Sequence, residues 1–194
     1  MEQKSTRDHL IDVGVELIHR NGYGATGLNE ILAAAGVPKG SFYHHFASKE
    51  EFVAAVIGRY GVREIRRWEV ILKDTKYSPL KRLRRYFDEL IRVFGQKGLA
   101  LGCPIGNLTL EVAGQSTTLR KLLSNSFSHW QQAIADVLRE AVEKKELRKS
   151  TDPGQMSAFV LNSWEGALLR SVADKSDAPL HTFVNYTFNV LLVK

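Results

Sequence analysis

The sequence predicts an all-α protein in which a small N-terminal domain is followed by a larger helical domain. Helix start and stop signals recur along the chain, and apolar residues repeat at spacings of three and four. No strand-like alternation or internal repeat accompanies them. A chain of 194 residues can bury the cores of one small and one larger domain. We therefore expect a division into residues 1–48 and 49–194.

The composition is that of an ordinary globular protein, with 44% hydrophobic and 25% charged residues. No run of about 18 apolar residues suggests a membrane span, and the first residues, which include His9, Asp12 and Glu16, are unlike a signal peptide. The single cysteine excludes an internal disulfide and any paired-cysteine metal or redox site. The sequence therefore predicts a cytoplasmic protein with no membrane partner and no cofactor.

The net charge of +6 suits a polyanionic partner, but its distribution identifies no site. Residues 1–50 are close to neutral, and the excess of basic residues lies between Arg59 and Arg85. The simpler interpretation of this excess is a basic surface that faces solvent. The alternative is a positive electrostatic field that attracts DNA or an anionic effector. The prediction of DNA binding therefore rests on a sequence motif and not on the bulk charge.

Residues 22–49 contain two short predicted helices joined by a tight turn. An earlier helix runs from about Ser5, with Asp8 in the capping position, to Gly22. The first short helix is marked by apolar residues at helical spacing, namely Leu28, Ile31, Leu32 and Ala35. Gly36 follows where a helix commonly ends in a left-handed cap.

The second short helix has one apolar face and one polar face. Phe42 and Phe46 are four residues apart, so both point toward the interior. The opposite face carries small or polar residues, namely Gly40, Ser41, Tyr43 and His44. Ser48 and Glu51 then form a capping box that satisfies backbone amides at the start of the next helix. This arrangement is a helix-turn-helix, and it predicts that the polar face enters a DNA groove.

This motif resembles the signature of TetR/AcrR-type transcriptional regulators over about the first quarter of the chain. The resemblance rests on Thr26, residues 35–46 and Lys49, which have separate physical roles at fixed spacing. It implies that the third helix and the start of the fourth contact DNA phosphates and base edges. On this sequence the implied DNA contacts are Thr26, Lys39, Gly40, Ser41, Tyr43, His44 and Lys49. Gly27 stands where many relatives carry Ser or Thr, so a phosphate-binding hydroxyl there is either missing or supplied by Thr26.

A long fourth helix is predicted from Lys49, and it carries Ile65, Trp68 and Leu72 on one face before Pro79 begins the next segment. The following segments are, in order, a core helix from Leu80 to Phe94, a loop at 98–102, a short helix from Pro104, a break at 114–116 and a long core helix around 119–141. All of them belong to the expected second domain.

The last two predicted helices, which begin at Asp152 and Pro179, are apolar on more than one side. The first has one stripe through Trp164 and Leu168 and a second stripe through Val160, and the last is apolar nearly all round. We expect the second side to be buried against another copy of the chain. The resemblance implies the same homodimer, built as a four-helix bundle from the last two helices of each subunit. The alternative is that both stripes fill the core of one subunit.

Large aromatic side chains recur on the helices of the second domain. Such stripes often belong to a core. So many large side chains beside polar residues would, however, be hard to close-pack without leaving a pocket. We therefore expect a mostly apolar effector pocket, which the resemblance also implies. The expected ligand-binding residues are Trp68, Phe87, Phe94, Cys103, Asn107, Phe127, Trp130 and Trp164.

Cys103 stands directly before the short helix predicted from Pro104. Amide dipoles at a helix start lower the pKa of a thiol and favour the reactive thiolate. The pair Gly102-Cys103 resembles a subset of the family that includes regulators responsive to electrophiles. The alternative is a small buried hydrophobic residue at a helix start.

Together these features predict a ligand-responsive transcriptional repressor that binds an inverted-repeat operator in double-stranded DNA as a homodimer. A small-molecule effector, or modification of Cys103, would release the DNA. Repression in place of activation is implied by the resemblance alone. A small all-helical enzyme acting on an apolar small molecule is the alternative, but no triad, paired carboxylates or phosphate loop supports it. His44 and His45 point about 100° apart on a helix, so no metal site is expected.

Overall fold

The computed structural model describes residues 5–96 and 101–194, and the regular structure of these residues is helical. The helices are α1 Thr6–Asn21, α2 Leu28–Ala35, α3 Lys39–His45, α4 Lys49–Leu72, α5 Pro79–Gln96, α6 Pro104–Val112, α7 Thr117–Glu143, α8 Pro153–Asp174 and α9 Ala178–Tyr186. No strand occurs in the two described ranges, so the predicted all-α fold is confirmed. Most of the loop expected at 98–102 lies outside the described residues. None of the described helices is both long enough and apolar enough to cross a membrane.

The chain forms two compact units. We call Met1–Glu64 with Pro104–Ser126 the head unit, and Ile65–Cys103 with Phe127–Lys194 the body unit. The boundaries fall inside α4 and α7, so both helices contribute residues to both units. This division differs from the boundary expected between residues 48 and 49, because the end of a sequence motif does not mark where a long helix changes its contacts.

Local sequence signals set the ends of the head-unit helices. Ser5 is the N-cap of α1, and its hydroxyl accepts the backbone N–H of Asp8 at 3.1 Å. Gly36 ends α2 with φ of +63°, a left-handed conformation that residues with a Cβ rarely adopt. At the start of α4, Ser48 Oγ accepts the N–H of Glu51 at 3.1 Å. This half of the predicted capping box is confirmed, whereas the Glu51 carboxylate accepts the N–H of Ala47, one residue before the N-cap, at 2.7 Å.

Three phenylalanines form the interior of the head unit against α3. The ring centroids of Phe42, Phe46 and Phe52 lie 5.1–5.4 Å apart, and each residue is at most 1% exposed. Full burial of one such side chain stabilises a fold by about 1.5–3 kcal/mol. Helix α1 approaches this cluster closely at Gly14, where an added Cβ would stand 2.4 Å from the Phe52 ring. The predicted inward direction of Phe42 and Phe46 is confirmed.

Polar contacts connect distant parts of the head unit. The Arg59 guanidinium on α4 donates to Asp8 and to Asp12 on α1, the latter at 2.7 Å. Glu111 on α6 accepts the backbone N–H of Gly24 at 3.0 Å. Because Gly24 lies between α1 and α2, this contact anchors the loop that leads into the helix-turn-helix. Glu111 is 87 residues from Gly24 in sequence, so no local pattern indicates the contact.

An aromatic cluster fills the interior of the body unit. The ring centroids of Phe87, Trp164 and Phe183 lie 4.9–5.5 Å apart, and Phe94 lies 6.2 Å from Trp164. All four side chains are buried. Helix α8 therefore faces the core with Trp164 and Leu168, as its apolar spacing predicts.

The other sides of α8, of α9 and of the π-helical turn that follows α9 keep exposed apolar residues. Their exposed fractions are 57% for Phe159, 63% for Leu169, 62% for Tyr186, 59% for Val190 and 36% for Leu191. The expected second stripe is only partly right, because Val160 is fully buried.

The last helix is not continuous, although the sequence predicts a continuous one. After Tyr186 it changes to the π-helical turn Thr187–Leu191, which is closed by the Leu192 N–H donating to the Thr187 carbonyl at 2.8 Å. A π-helical bond spans five residues, so the turn rotates the chain end away from the α-helical pattern.

Candidate functional site

The outer face of α3 carries most of the groups expected to meet DNA. It comprises four exposed residues and one half-buried residue, namely Lys39, Gly40, Tyr43, His44 and Ser41. Tyr43 contacts the edge of the Phe42 ring at a centroid distance of 5.5 Å, yet it remains 52% exposed. Helix α3 contains no Asp or Glu and ends with two histidines. A phosphate approaching this helix therefore meets hydrogen-bond donors and a lysine, with no carboxylate of α3 to repel it.

Lys49, the first residue of α4, is held by Tyr23. Its Nζ donates to the Tyr23 carbonyl at 2.7 Å and lies 4.3 Å from the centroid of the Tyr23 ring. Burial lowers the pKa of Lys49, and the negative charge of Glu111 acts in the opposite direction. The ammonium group is thus fixed in position and partly desolvated, which prepares it for a charge-assisted hydrogen bond to an anion. The sequence motif did not indicate Tyr23 as its partner.

Thr26 does not belong to the exposed face. The residue is fully buried, and its hydroxyl donates to the carbonyl of Gly22 at 2.6 Å. Its backbone N–H donates to the same carbonyl at 3.3 Å. The expectation that Thr26 contacts DNA is therefore wrong, because both of its donors close the turn after α1. Gly27, the N-cap of α2, supplies no side-chain cap, so the start of α2 offers no hydroxyl.

The two histidines at the end of α3 have ring centroids 5.1 Å apart. Within residues 5–96 and 101–194, no group of three or more His, Cys, Asp or Glu side chains could hold a metal ion.

The aromatic residues expected to bind an effector fall into separate groups. Phe87, Phe94 and Trp164 belong to the closely packed interior of the body unit, which favours a structural role. Trp68 and Trp130 stack on each other in the same unit, with centroids 6.0 Å apart and planes at 19°. Two further expected residues lie elsewhere: Phe127 is half-buried on α7, and Asn107 is exposed on α6 in the head unit. The structure therefore brings only part of the expected set together.

A cavity of about 400 Å³ lies beside Trp68 in the body unit. Helices α4, α5 and α7 form its walls, whose apolar part consists of Ile65, Trp68, Leu72, Ala133 and Val137. Arg82 also lines it, and this residue is only 3% exposed. Its guanidinium donates to the Leu72 carbonyl at 2.9 Å and to the Glu140 carboxylate. The interpretation of the basic segment as a solvated face is therefore wrong for Arg82, because these two long-range acceptors allow its burial.

Cys103 lies directly before α6 and is 5% exposed. Its thiol hydrogen-bonds the carboxyl group of Glu165 on α8, a residue that the sequence did not single out. Burial raises the pKa of Glu165 to about 7, and the hydrogen bond from Cys103 opposes this rise. The Oε1 atom of Glu165 is buried and has no hydrogen-bond partner among the described residues. The Glu165 carboxylate is therefore placed to accept the proton of the Cys103 thiol, but burial limits the access of reagents to the sulfur.

Comparisons with known proteins cover both the helix-turn-helix and the C-terminal helices. The family described as "Bacterial regulatory proteins, tetR family" matches residues 10–56, and "Tetracyclin repressor-like, C-terminal domain" matches residues 79–187. The HTH-type transcriptional repressor DhaR of Mycobacterium sp. (strain GP1) is 32% identical over 99% of this chain and 95% of its own. The transcriptional regulator AcuR of Cereibacter sphaeroides is 36% identical over 90% of this chain and 80% of its own.

Solved structures are similar over nearly the whole length. The reduced form of Escherichia coli NemR superimposes with a TM-score of 0.89 at 30% identity, covering 95% of this chain and 96% of that one. The regulatory protein TetR from Rhodobacter sphaeroides gives a TM-score of 0.86 at 36% identity, covering 93% and 95%. The similarity thus includes the C-terminal helices as well as the sequence motif.

We predict that Glu165→Gln removes a pH-dependent loss of stability. The pKa of Glu165 is raised from 4.5 to about 7 in the folded protein, so its contribution to stability is fully present below pH 4.5. This contribution is lost as the pH rises through 7, and the loss amounts to about 3 kcal/mol. Urea titrations at pH 4.5 and pH 8 should show a larger fall in the free energy of unfolding for the parent protein than for the variant. Equal falls would contradict the assignment.

Proposed function

Because this chain belongs to the tetR family of bacterial regulatory proteins, we propose that it is a homodimeric transcriptional repressor of an inverted-repeat operator in double-stranded DNA. A small-molecule effector bound by the body unit releases that operator. The observation that carries the proposal is the exposed, carboxylate-free face of α3, whose orientation the buried Phe42 and Phe46 fix. In a helix-turn-helix, the second helix lies in the major groove.

The groups on this face divide into phosphate contacts and base contacts. The phosphate contacts are Lys39, Tyr43, His44 and Lys49. Ser41, whose hydroxyl can donate and accept a hydrogen bond, meets base edges in the major groove. Gly40 has no side chain, and apart from its chain neighbours and the nearby backbone of α3 no described atom lies within 4 Å of where its Cβ would be, so the DNA can approach the backbone there.

The exposed apolar residues of α8, α9 and the π-helical turn Thr187–Leu191 form the proposed dimer interface. Phe159, Tyr186 and Val190 border a groove of about 530 Å³, and the small residues Ser163 and Ala167 also line it. A contiguous apolar surface of this kind is unfavourable in water, and small residues allow helices to approach closely. A second copy of the chain buries it through a two-fold symmetric interface. The two head units then reach half-sites roughly 34–36 Å apart, which is one turn of DNA.

Release of the operator follows from a difference in effector affinity between two states. The effector must bind the state with weak DNA affinity more tightly than the state that binds DNA. Helix α4 runs without interruption from Lys49 in the head unit to Trp68 and Leu72 beside the body-unit cavity. A ligand that displaces the C-terminal part of α4 therefore acts on the helix that carries a phosphate contact.

Modification of Cys103 is a second proposed route to release. An adduct on a buried thiol displaces the start of α6, the helix whose Glu111 anchors the loop at Gly24. Ionised Glu165 can accept the thiol proton and so generate the nucleophilic thiolate. With a Michael acceptor, the sulfur–carbon bond forms as the carbon–carbon π bond opens, and the neighbouring carbon takes a proton from water.

We expect Lys49→Ala to weaken operator binding and to reduce its salt dependence. Loss of one phosphate contact should lower the slope of log K against log salt by about 0.9. The test is fluorescence anisotropy with the duplex that the protein selects from a random-sequence pool, with Lys149→Ala in the body unit as a matched control. Unchanged affinity and slope in Lys49→Ala would remove the phosphate role. Absence of any duplex binding by the parent protein would instead favour the alternative of a small helical enzyme.

Val190→Glu should dissociate the dimer and abolish operator binding, because the new carboxylate would be buried against another apolar surface. Val70→Glu is the matched control, since Val70 on α4 is 76% exposed and lies outside the proposed interface. Sedimentation velocity should show a monomer for the first variant and a dimer for the second. A stable Val190→Glu dimer would exclude this interface.

N-ethylmaleimide should add once per chain, at Cys103, and release the operator from the parent protein but not from Cys103→Ser. Glu165→Gln should slow the addition, because it removes the carboxylate that accepts the thiol proton. Intact-mass spectrometry follows the adduct, and anisotropy follows the DNA. A thiol that reacts only after denaturation would show that Cys103 is a structural residue.

A further inference from the structure

The carboxylate of Glu111 on α6 lies against the turn between α1 and α2. Its Oε2 atom accepts the backbone N–H of Gly24 at 3.0 Å. Its Oε1 atom lies beside Gly22, where an added Cβ would stand only 2.6 Å away from it. Gly22 also has a φ of +84°, a conformation that residues with a Cβ rarely adopt. The turn therefore needs a glycine at position 22 both for its backbone and for the close approach of this carboxylate.

The residue between these two glycines holds a proposed phosphate contact. The Tyr23 carbonyl accepts a hydrogen bond from Lys49 Nζ at 2.7 Å, and the Tyr23 ring centroid lies 4.3 Å from the same atom. Burial lowers the pKa of Lys49, and the negative charge of Glu111 opposes this fall. Glu111 thus acts on Lys49 in two ways, through the backbone that carries Tyr23 and through its own charge.

The segment after α6 makes a second polar contact near Lys49. The Ser116 hydroxyl donates to the carboxylate of Glu50 on α4, and it accepts the N–H of Leu119 at 3.0 Å at the start of α7. Glu50 directly follows Lys49 in the chain, so this contact restrains the backbone that carries the ammonium group. Both contacts lie within the head unit. Helix α6 and the turn after it therefore restrain Lys49 from two sides of the sequence, at Tyr23 and at Glu50.

We propose that Glu111 is a positioning residue for operator binding, because it holds the turn at 22–24 so that Tyr23 presents Lys49 Nζ to a phosphate. A carboxylate is itself repelled by DNA phosphates, so Glu111 acts through its neighbours. An ammonium group that is ordered before the DNA arrives loses less conformational entropy on binding. The role of Lys49 in this inference rests on the proposed function, whereas the effect of Glu111 on the turn exists without DNA.

Two substitutions separate the hydrogen bond of Glu111 from its charge. Glu111→Gln removes the charge and keeps an oxygen that can accept the Gly24 N–H, whereas Glu111→Ala removes both. The difference between these variants in operator affinity therefore reports the hydrogen bond alone. In fluorescence anisotropy with the selected duplex, Glu111→Gln should bind about five- to tenfold more tightly than Glu111→Ala. Glu146→Ala is the matched control, because Glu146 likewise accepts a distant backbone N–H, that of Leu80 at 3.1 Å, but in the body unit.

Nuclear magnetic resonance of the free protein tests the same contacts without DNA. The amide proton of Gly24 should exchange with solvent about five- to tenfold faster in Glu111→Ala than in Glu111→Gln. The pKa of the Lys49 ammonium, followed through its ¹³C-labelled Cε, should fall in both variants because the attraction of Glu111 is lost. A purely structural role of Glu111 would not lower the pKa of Lys49 in the Gln variant.

The inference is overturned by equal operator affinity of Glu111→Gln and Glu111→Ala, by equal exchange of the Gly24 amide in the two, or by an unchanged pKa of Lys49. Glu111→Met, which keeps the length of the side chain without its oxygens, replaces the Ala variant if that one folds poorly. Loss of the effects at Gly24 and Lys49 with intact duplex binding would refute this inference alone. Absence of duplex binding by the parent protein would refute the proposed function and, with it, the role of Glu111 in operator binding.

Discussion

The packing of Phe42, Phe46 and Phe52 determines which side of α3 faces outward. A helix of seven residues is too short to be stable by itself, so tertiary contacts must fix its position and rotation. The two phenylalanines of the α3 segment point into the head unit, and this places Tyr43 and His44 on the outer side. The proposed DNA contacts therefore depend on an apolar cluster that touches no DNA. A change in that cluster would alter recognition by rotating α3, even if every polar residue remained.

The head unit is not confined to the helix-turn-helix segment. Arg59 joins α4 to α1, and Glu111 of α6 holds the loop at Gly24. Helix α6 begins one residue after Cys103, whose thiol contacts Glu165 of α8. A change at Cys103 thus has a short covalent route to the loop between α1 and α2. Helix α4 provides another route, since it contains both Lys49 and the cavity residue Trp68. Through α4 and α6, respectively, the proposed effector and the proposed thiol modification both act on the head unit.

The features predicted correctly from the sequence are those that depend on near neighbours in the chain. The left-handed cap at Gly36, the N-cap hydrogen bond of Ser48 and the N-cap at Asp152 each involve residues two to four positions apart. The inward direction of Phe42 and Phe46 follows in the same way from helical periodicity.

The features that sequence reasoning missed depend on distant partners. Arg82 is buried because Glu140, 58 residues away, accepts its hydrogen bond. Glu165 is buried beside Cys103, and this contact is likewise long-range. Thr26 matches the family motif in residue type, but the motif does not specify that its hydroxyl points to the carbonyl of Gly22. A motif records which residue types occur at a position, and the direction of a side chain depends on the surrounding fold.

The most direct test of the account is selection of duplexes from a random-sequence pool by the purified protein, followed by sequencing. A dimer that presents two α3 helices should enrich an inverted repeat whose half-site centres are about 10 base pairs, or a multiple of that distance, apart. Enrichment of a single asymmetric site, or of no sequence at all, would contradict the proposal that two copies of this α3 face read one operator.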